Sequence, residues 1–137
     1  MSKTKKVLII LLIIVVIAAI GIYFYLKISK DKAEETLKEY VSKINDEKYE
    51  EMYDYLDEQS KQKITKDDFV SRNKKIYQGI DMSNMQIEIK QIKISGAKII
   101  ITYRTKMEAA GGEIAFENKV GLKKYKIAWS SSLIFPN

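Results

Sequence analysis

The feature that most constrains this chain is an uncharged run of 20 residues, Val7 to Leu26. Fifteen of them are Val, Ile, Leu or Phe. As a helix, the run spans a hydrocarbon core of ~30 Å, and its apolar residues favour insertion by about 6 kcal/mol. A cleaved signal peptide is the rival interpretation, because Ala18 and Ala19 are small. The aromatic end, Tyr23 to Tyr25, is more typical of an uncleaved anchor at a membrane interface.

Lysines flank this run on both sides, with a slight excess before it. They are Lys3, Lys5 and Lys6 on one side and Lys27, Lys30 and Lys32, offset by Asp31, on the other. Because positive flanks favour the cytoplasmic side, we expect a single-pass protein of the cell membrane. Residues 1–6 are then a cytoplasmic tail, residues 7–26 the anchor that contacts membrane lipid, and residues 27–137 an extracytoplasmic domain.

The net charge of +6 does not belong to the domain. All 18 acidic residues lie from Asp31 onward, whereas five of the 24 basic residues precede it, which leaves the domain at +1. A nucleic-acid partner is therefore not predicted. The chain has no Cys and no His, which excludes disulfides, thiol nucleophiles and imidazole bases or ligands.

Three amphipathic helices are predicted after the anchor. Apolar residues recur at helical spacing over Ala33–Ile44, continuing the anchor, and again over Tyr49–Leu56. A third helix begins at Thr65, where Asp68 follows at the spacing of a capping box, and it ends near Gly79.

From Met85 the apolar period changes from helical to two, which indicates strands. The alternation slips near Lys90–Gln91, where we predict a β-bulge. Turns are predicted at Ser95–Gly96 and Gly111–Gly112, and the last strand carries Tyr125, Ile127 and Trp129. Three helices followed by four antiparallel strands define an α+β fold with the helices on one face of the sheet.

Charge is divided along the domain. Residues 31–60 hold 11 acidic and 4 basic residues, whereas residues 61–137 hold 7 acidic and 15 basic residues. Solvated faces with some attraction between helices and sheet explain this division. A basic sheet face that meets an anionic wall polymer is the alternative.

The chain ends in a segment, Tyr125 to Pro136, that resembles the end of the N-terminal domain of class B penicillin-binding proteins of the methicillin-resistance type. The residues that carry this resemblance are Trp129, Ser132, Leu133, Ile134, Phe135 and Pro136. It implies a cone-shaped fold similar to nuclear transport factor 2 (cystatin-like), in which a curved four-stranded sheet wraps a helix. It also implies an anchor and first domain without the catalytic part of a transpeptidase.

Motifs of penicillin-binding transpeptidases are weak in this chain. Ser-x-x-Lys occurs at Ser2/Lys5, Ser29/Lys32, Ser60/Lys63, Ser71/Lys74 and Ser95/Lys98. With 22 Lys, such matches arise readily by chance, and neither Lys-Thr-Gly nor Lys-Ser-Gly occurs. Ser71-Arg72-Asn73 matches the Ser-x-Asn motif but overlaps one of these pairs. We therefore expect no transpeptidase site.

A buried acid beside a tyrosine would be the other catalytic possibility in a cone-shaped fold. The candidates are Asp54 with Tyr53, Tyr77 or Tyr103. Core or interface aromatics with wet hydroxyls explain these tyrosines more simply. The acidic runs lack the loop of a calcium site. We expect no catalytic, cofactor-binding or metal-binding residues.

Two functions remain open at this point. The first is a non-catalytic, membrane-anchored module of a penicillin-binding protein, which spaces, holds or regulates a transpeptidase in cell-wall synthesis and β-lactam resistance. Its partners would be a transpeptidase domain or cell-wall polymer. The alternative is a free-standing, membrane-tethered module that binds a small ligand or peptide.

Overall fold

The computed structural model describes residues 2–129. Their helices are α1 (Lys3–Asn45), α2 (Tyr49–Tyr53), α3 (Glu58–Lys63) and α4 (Lys66–Gly79), and their strands are β1 (Ser83–Ser95), β2 (Lys98–Ala109), β3 (Gly112–Lys123) and β4 (Lys126–Ala128). The chain divides into two compact units, Met1–Asp31 and Lys32–Asn137.

The first unit consists of the N-terminal part of α1. Its large apolar side chains are exposed; Leu12, for example, is 64% exposed. Among the described residues, α1 is the one helix long and apolar enough to cross a membrane. An apolar surface on every side of a helix is typical of a lipid environment.

In the second unit, the C-terminal part of α1 contributes one face to a core. Ala33, Leu37, Tyr40 and Ile44 are each at most 1% exposed, as their three- and four-residue spacing predicts. Thr65 caps α4, since its Oγ1 accepts a 3.2 Å hydrogen bond from the backbone N–H of Asp68. The predicted apolar face of the first helical segment and the predicted cap at Thr65 are therefore confirmed.

The four strands form one antiparallel sheet in the order β1-β2-β3-β4. The register shifts between Ile89 and Gln91, which confirms the predicted bulge. Gly96, in the turn between β1 and β2, has a φ of 61°, a conformation that glycine adopts without a Cβ clash. A second turn connects Ala109 with its partner Gly112. The sheet buries one face, and its central residues Ile101 and Tyr103 are 0% exposed.

Three details differ from the predicted elements. The helix expected over Tyr49–Leu56 ends at Tyr53, because Leu56 forms a parallel bridge with Ile127. The short helix α3 was not predicted. Strand β4 ends at Ala128, so Trp129 lies just past the strand. The fold class is confirmed: an apolar N-terminal helix precedes helices packed on a four-stranded antiparallel sheet.

A polar side chain connects α1 with the first strand. The Nδ2 of Asn45 donates a 2.8 Å hydrogen bond to the carbonyl oxygen of Met85, and its Oδ1 accepts one of 2.9 Å from the Met85 N–H. The amide therefore pairs with the edge of β1 as a neighbouring strand would, which satisfies two backbone groups that an edge otherwise leaves to water.

Candidate functional site

Trp129 lies at the end of the described chain and packs on the aromatic core. Its ring meets Phe69 of α4 edge to face, with centroids 6.4 Å apart. The guanidinium carbon of Arg72, one turn further along α4, is 5.6 Å from the indole centroid. Edge-to-face packing and a cation over the ring both stabilise an indole in one position.

The backbone of Trp129 is held by a buried serine. Its N–H donates a 2.8 Å hydrogen bond to the Oγ of Ser60, which is 3% exposed. Ser60 in turn donates its N–H to the Oδ1 of Asp57 at 2.8 Å. Asp57 is the N-cap of α3, so the cap that begins this helix also positions the hydroxyl that accepts from the Trp129 N–H.

The residues before α3 pair with β4. The N–H of Ile127 donates to the carbonyl of Tyr55 at 2.8 Å, and the N–H of Asp57 donates to the carbonyl of Ile127 at 2.9 Å. Together with the Ser60 bond, these two bonds fix the last described residues against the 55–60 segment. Five residues hold Trp129 in place or belong to the cap that does so, and we call them the exit junction: Asp57, Ser60, Phe69, Arg72 and Trp129 itself.

Tyr53 contacts the exit junction through its ring and its hydroxyl group. The ring centroids of Tyr53 and Phe69 are 5.5 Å apart, so Phe69 has Tyr53 and Trp129 as aromatic neighbours. The Tyr53 hydroxyl donates to the carbonyls of Lys61 (3.1 Å) and Ile64 (2.9 Å) as alternative acceptors. These carbonyls lie at the C-terminal end of α3, where backbone acceptors lack helical partners.

A groove of about 530 Å³ opens beside the junction and includes Ile64, Arg72 and Trp129 in its lining. The remaining family-motif residues, Ser132, Leu133, Ile134, Phe135 and Pro136, lie outside the described residues. Of the motif that the sequence singled out, the structure therefore places Trp129 alone.

The Ser-x-x-Lys pairs on α3 and α4 do not have the geometry of a nucleophile and its base. Ser60 is buried and accepts from Trp129, whereas Lys63 is exposed. Ser71 and Lys74 are both exposed on the surface of α4. A Ser nucleophile needs its base within hydrogen-bond reach. Ser60 instead has a structural role.

The acid-and-tyrosine candidates are not brought together as a buried pair. Asp54 is exposed, with its side chain 67% accessible and its carboxylate 4.0 Å from the ammonium of Lys66. Tyr77 and Tyr103 are buried in the core. Asp54 therefore does not meet the condition of a buried acid, because it immediately follows α2 on the outside of the domain.

The buried tyrosines form an interior cluster. Desolvation by burial raises the pKa of Tyr40, Tyr77 and Tyr103, and the proximity of the Tyr103 hydroxyl raises the pKa of Tyr40 further. Tyr77 also stacks on Tyr49 with centroids 6.2 Å apart. These phenols stay protonated at neutral pH. Among residues 2–129, no three Asp or Glu side chains converge as metal ligands.

Sequence comparison assigns the domain. Residues 32–137 match a family described as the NTF2-like N-terminal transpeptidase domain, and the chain belongs to this family. Penicillin-binding protein 3 of Bacillus subtilis (strain 168) is similar to the chain, with 28% identity over 129 residues. The alignment covers 85% of this chain and 19% of that protein. The predicted resemblance is thereby confirmed: this is an N-terminal, transpeptidase-associated domain of the penicillin-binding protein type.

Proposed function

We propose that the chain is a non-catalytic, membrane-anchored module that holds a transpeptidase at a fixed distance from the membrane during cell-wall synthesis. In this proposal, Val7 to Leu26 spans the membrane, residues 1–6 are cytoplasmic and residues 27–137 are outside. A regulatory contribution to β-lactam resistance belongs to the same proposal. Partners would be a transpeptidase domain or wall polymer.

The observation that carries this proposal is the exit junction. A spacer transmits position only if the chain leaves it at a fixed point. Trp129 is held by its N–H on Ser60, by Phe69 at its edge and by Arg72 over its ring. Ser60 accepts this hydrogen bond and is only 3% exposed. Both facts support a structural rather than a catalytic role for the Ser60/Lys63 pair.

The topology can be tested by cysteine accessibility, because the chain contains no Cys. We would introduce Ser71→Cys, at an exposed position of α4, and Ser2→Cys, at an exposed position before the anchor. A membrane-impermeant maleimide should label Ser71→Cys on intact cells and Ser2→Cys only after permeabilisation. Labelling in the reverse order would contradict the proposed orientation.

The non-catalytic role can be tested with fluorescent penicillin. Purified chain in detergent should acquire no covalent label under conditions that label an active penicillin-binding enzyme in the same tube. Label that survives denaturation and disappears in Ser60→Ala or Ser71→Ala would establish a nucleophile in this chain and defeat the proposal.

The alternative, a tethered module for a small ligand, is favoured by one observation. Thr105 of β2 is 0% exposed, and its Oγ1 has no hydrogen-bond partner among the described residues. A buried hydroxyl without a partner costs free energy unless a ligand or water satisfies it. Stabilisation of the wild type, but not of Thr105→Val, by a ligand from a small-molecule screen would favour this alternative.

A further inference from the structure

The outer face of the sheet carries a basic patch, which we define as Lys93, Lys98, Lys119 and Lys123. Alternation places these residues opposite the core: Ile99 and Leu122, next to two of them, are buried. All four lysines are exposed. They lie at one end of the sheet, beside the turn that joins β1 to β2.

Two of these lysines face each other directly. Lys98 of β2 pairs with Lys123 of β3 in the strand register. Like charges at directly opposed positions destabilise an antiparallel pair. Gly121 leaves room beside them, and the Lys98 side chain passes 3.7 Å from where a Cβ of residue 121 would lie. The pair is therefore an unfavourable arrangement for folding that an anionic partner would relieve.

No ion pair neutralises the patch within the part of the chain that the structure describes, although Lys123 shares a surface pocket with Asp57 and Glu58. Among residues 2–129, none of its four ammonium groups has an acidic oxygen within 4.0 Å, in contrast to Lys90 and Lys106 of the same sheet. At the opposite end of the outer face, Arg104 lies between Glu88 and Glu117 in register. Charge on this face is thus balanced at one end and uniformly positive at the other.

We propose that the basic patch binds a linear polymer of polyol phosphodiesters. Lysines act as point charges and contact phosphates without fixing their orientation, which suits a flexible repeating anion. A lipid surface fits less well, because interfacial binding needs exposed apolar side chains to insert and the apolar residue within the patch, Ile100, is partly buried. This inference rests on the proposed placement of the domain outside the membrane.

The test is lysine footprinting on the full chain in zwitterionic nanodiscs, with a low dose of an amine-reactive reagent and poly(glycerol phosphate) as the probe. The polymer should slow modification of the four patch lysines at least threefold and leave Lys74 and Lys75, which are exposed on α4, unchanged. Equal protection of patch and α4 lysines, or protection of neither, would overturn the proposal.

A matched pair of variants tests the affinity. Lys98→Gln/Lys123→Gln should weaken polymer binding about tenfold and reduce the slope of log K against log salt by roughly 1–2. Lys74→Gln/Lys75→Gln removes the same charge and should change affinity less than twofold. Equal losses of polymer affinity in the two double variants would show that only net charge matters and would contradict a localised site. The thermal stability of Lys98→Gln/Lys123→Gln should be unchanged or higher, which shows that its weaker binding does not come from unfolding.

Two further probes distinguish the source of the phosphate. Anionic nanodiscs without polymer should leave the patch lysines reactive. If anionic nanodiscs protect these lysines and the polymer does not, the partner of the patch is lipid. Single-stranded DNA of equal phosphate number that bound tenfold more tightly would reassign it to nucleic acid. Because these measurements use purified protein, their failure leaves the proposed topology and spacer role standing.

Discussion

The backbone N–H of Trp129 donates a 2.8 Å hydrogen bond to the Oγ of Ser60, 69 residues earlier in the chain. Ser60 is in turn placed by Asp57, the N-cap of α3. A cap that normally stabilises one helix here also fixes the point at which the chain leaves the sheet. The local cap by Asp57 at the start of α3 thus places Ser60 where it binds Trp129, a residue far away in the sequence.

Removal of the Ser60 hydroxyl should destabilise the domain. Ser60→Ala leaves a partly buried N–H without its acceptor, which costs about 1–2 kcal/mol. Trp129 is the single tryptophan of the chain, so its fluorescence during denaturant unfolding in detergent micelles measures the change directly. Ser71→Ala, on the exposed face of α4, is the control and should stay within about 0.5 kcal/mol. Equal stability of both variants would show that the Ser60 bond contributes nothing.

Truncation of Trp129 should cost more than loss of its hydrogen-bond partner. Trp129→Ala removes the contact with Phe69 and the surface on which Arg72 lies, and we expect a loss of ~3 kcal/mol. Trp129→Phe, which retains an aromatic ring, should lose roughly half of that. Circular dichroism must replace fluorescence as the probe. A denaturant midpoint of Trp129→Ala equal to that of the wild type would refute the anchoring role.

Replacement of Thr105 should stabilise the protein. Valine has nearly the shape of threonine but lacks the buried Oγ1 that has no partner among the described residues, so Thr105→Val should gain about 1 kcal/mol. Thr102→Val, on the outer side of the same strand, is the control and should change stability little. A loss of 1 kcal/mol or more in Thr105→Val would mean that the hydroxyl is satisfied in solution by water or a ligand.

The elements that sequence reasoning located are those whose signals are local. The α1 face from Ala33 to Ile44 follows from its apolar spacing. The bulge at Ile89–Gln91 follows from a slip in alternation, because a one-residue shift would turn the isoleucines to solvent. The Thr65 cap follows from the residues of its own turn.

The parts that sequence reasoning missed depend on contacts between distant residues. Helix α3, Glu-Gln-Ser-Lys-Gln-Lys, has no apolar period, and Asp57 at its N-cap was the one available signal. Asn45 is the last residue of α1, and its amide pairs with Met85, 40 residues away. Trp129 was assigned to the last strand, but its N–H bonds to Ser60. Apolar periodicity contains no information about such partners.

The interior tyrosines should make the domain sensitive to alkali. In the unfolded chain they lose their protons near pH 10, whereas burial raises the folded pKa of Tyr40, Tyr77 and Tyr103. Above pH 10 the unfolded state therefore binds fewer protons than the folded state, and stability falls as pH rises. Their stabilising contribution is complete below pH ~10 and is lost progressively above it, at up to about 4 kcal/mol per pH unit for three groups.

Denaturant unfolding at a series of pH values from 9 to 11.5 measures this slope, and the absorbance of phenolate counts the tyrosines that ionise before unfolding. Tyr40→Phe is the matched variant, because it keeps the ring and removes one titrating group. Its slope should be smaller by about 1.4 kcal/mol per pH unit. Ionisation of all nine tyrosines near pH 10 while the domain remains folded would contradict the buried cluster, since a phenolate in an apolar core requires the core to open first.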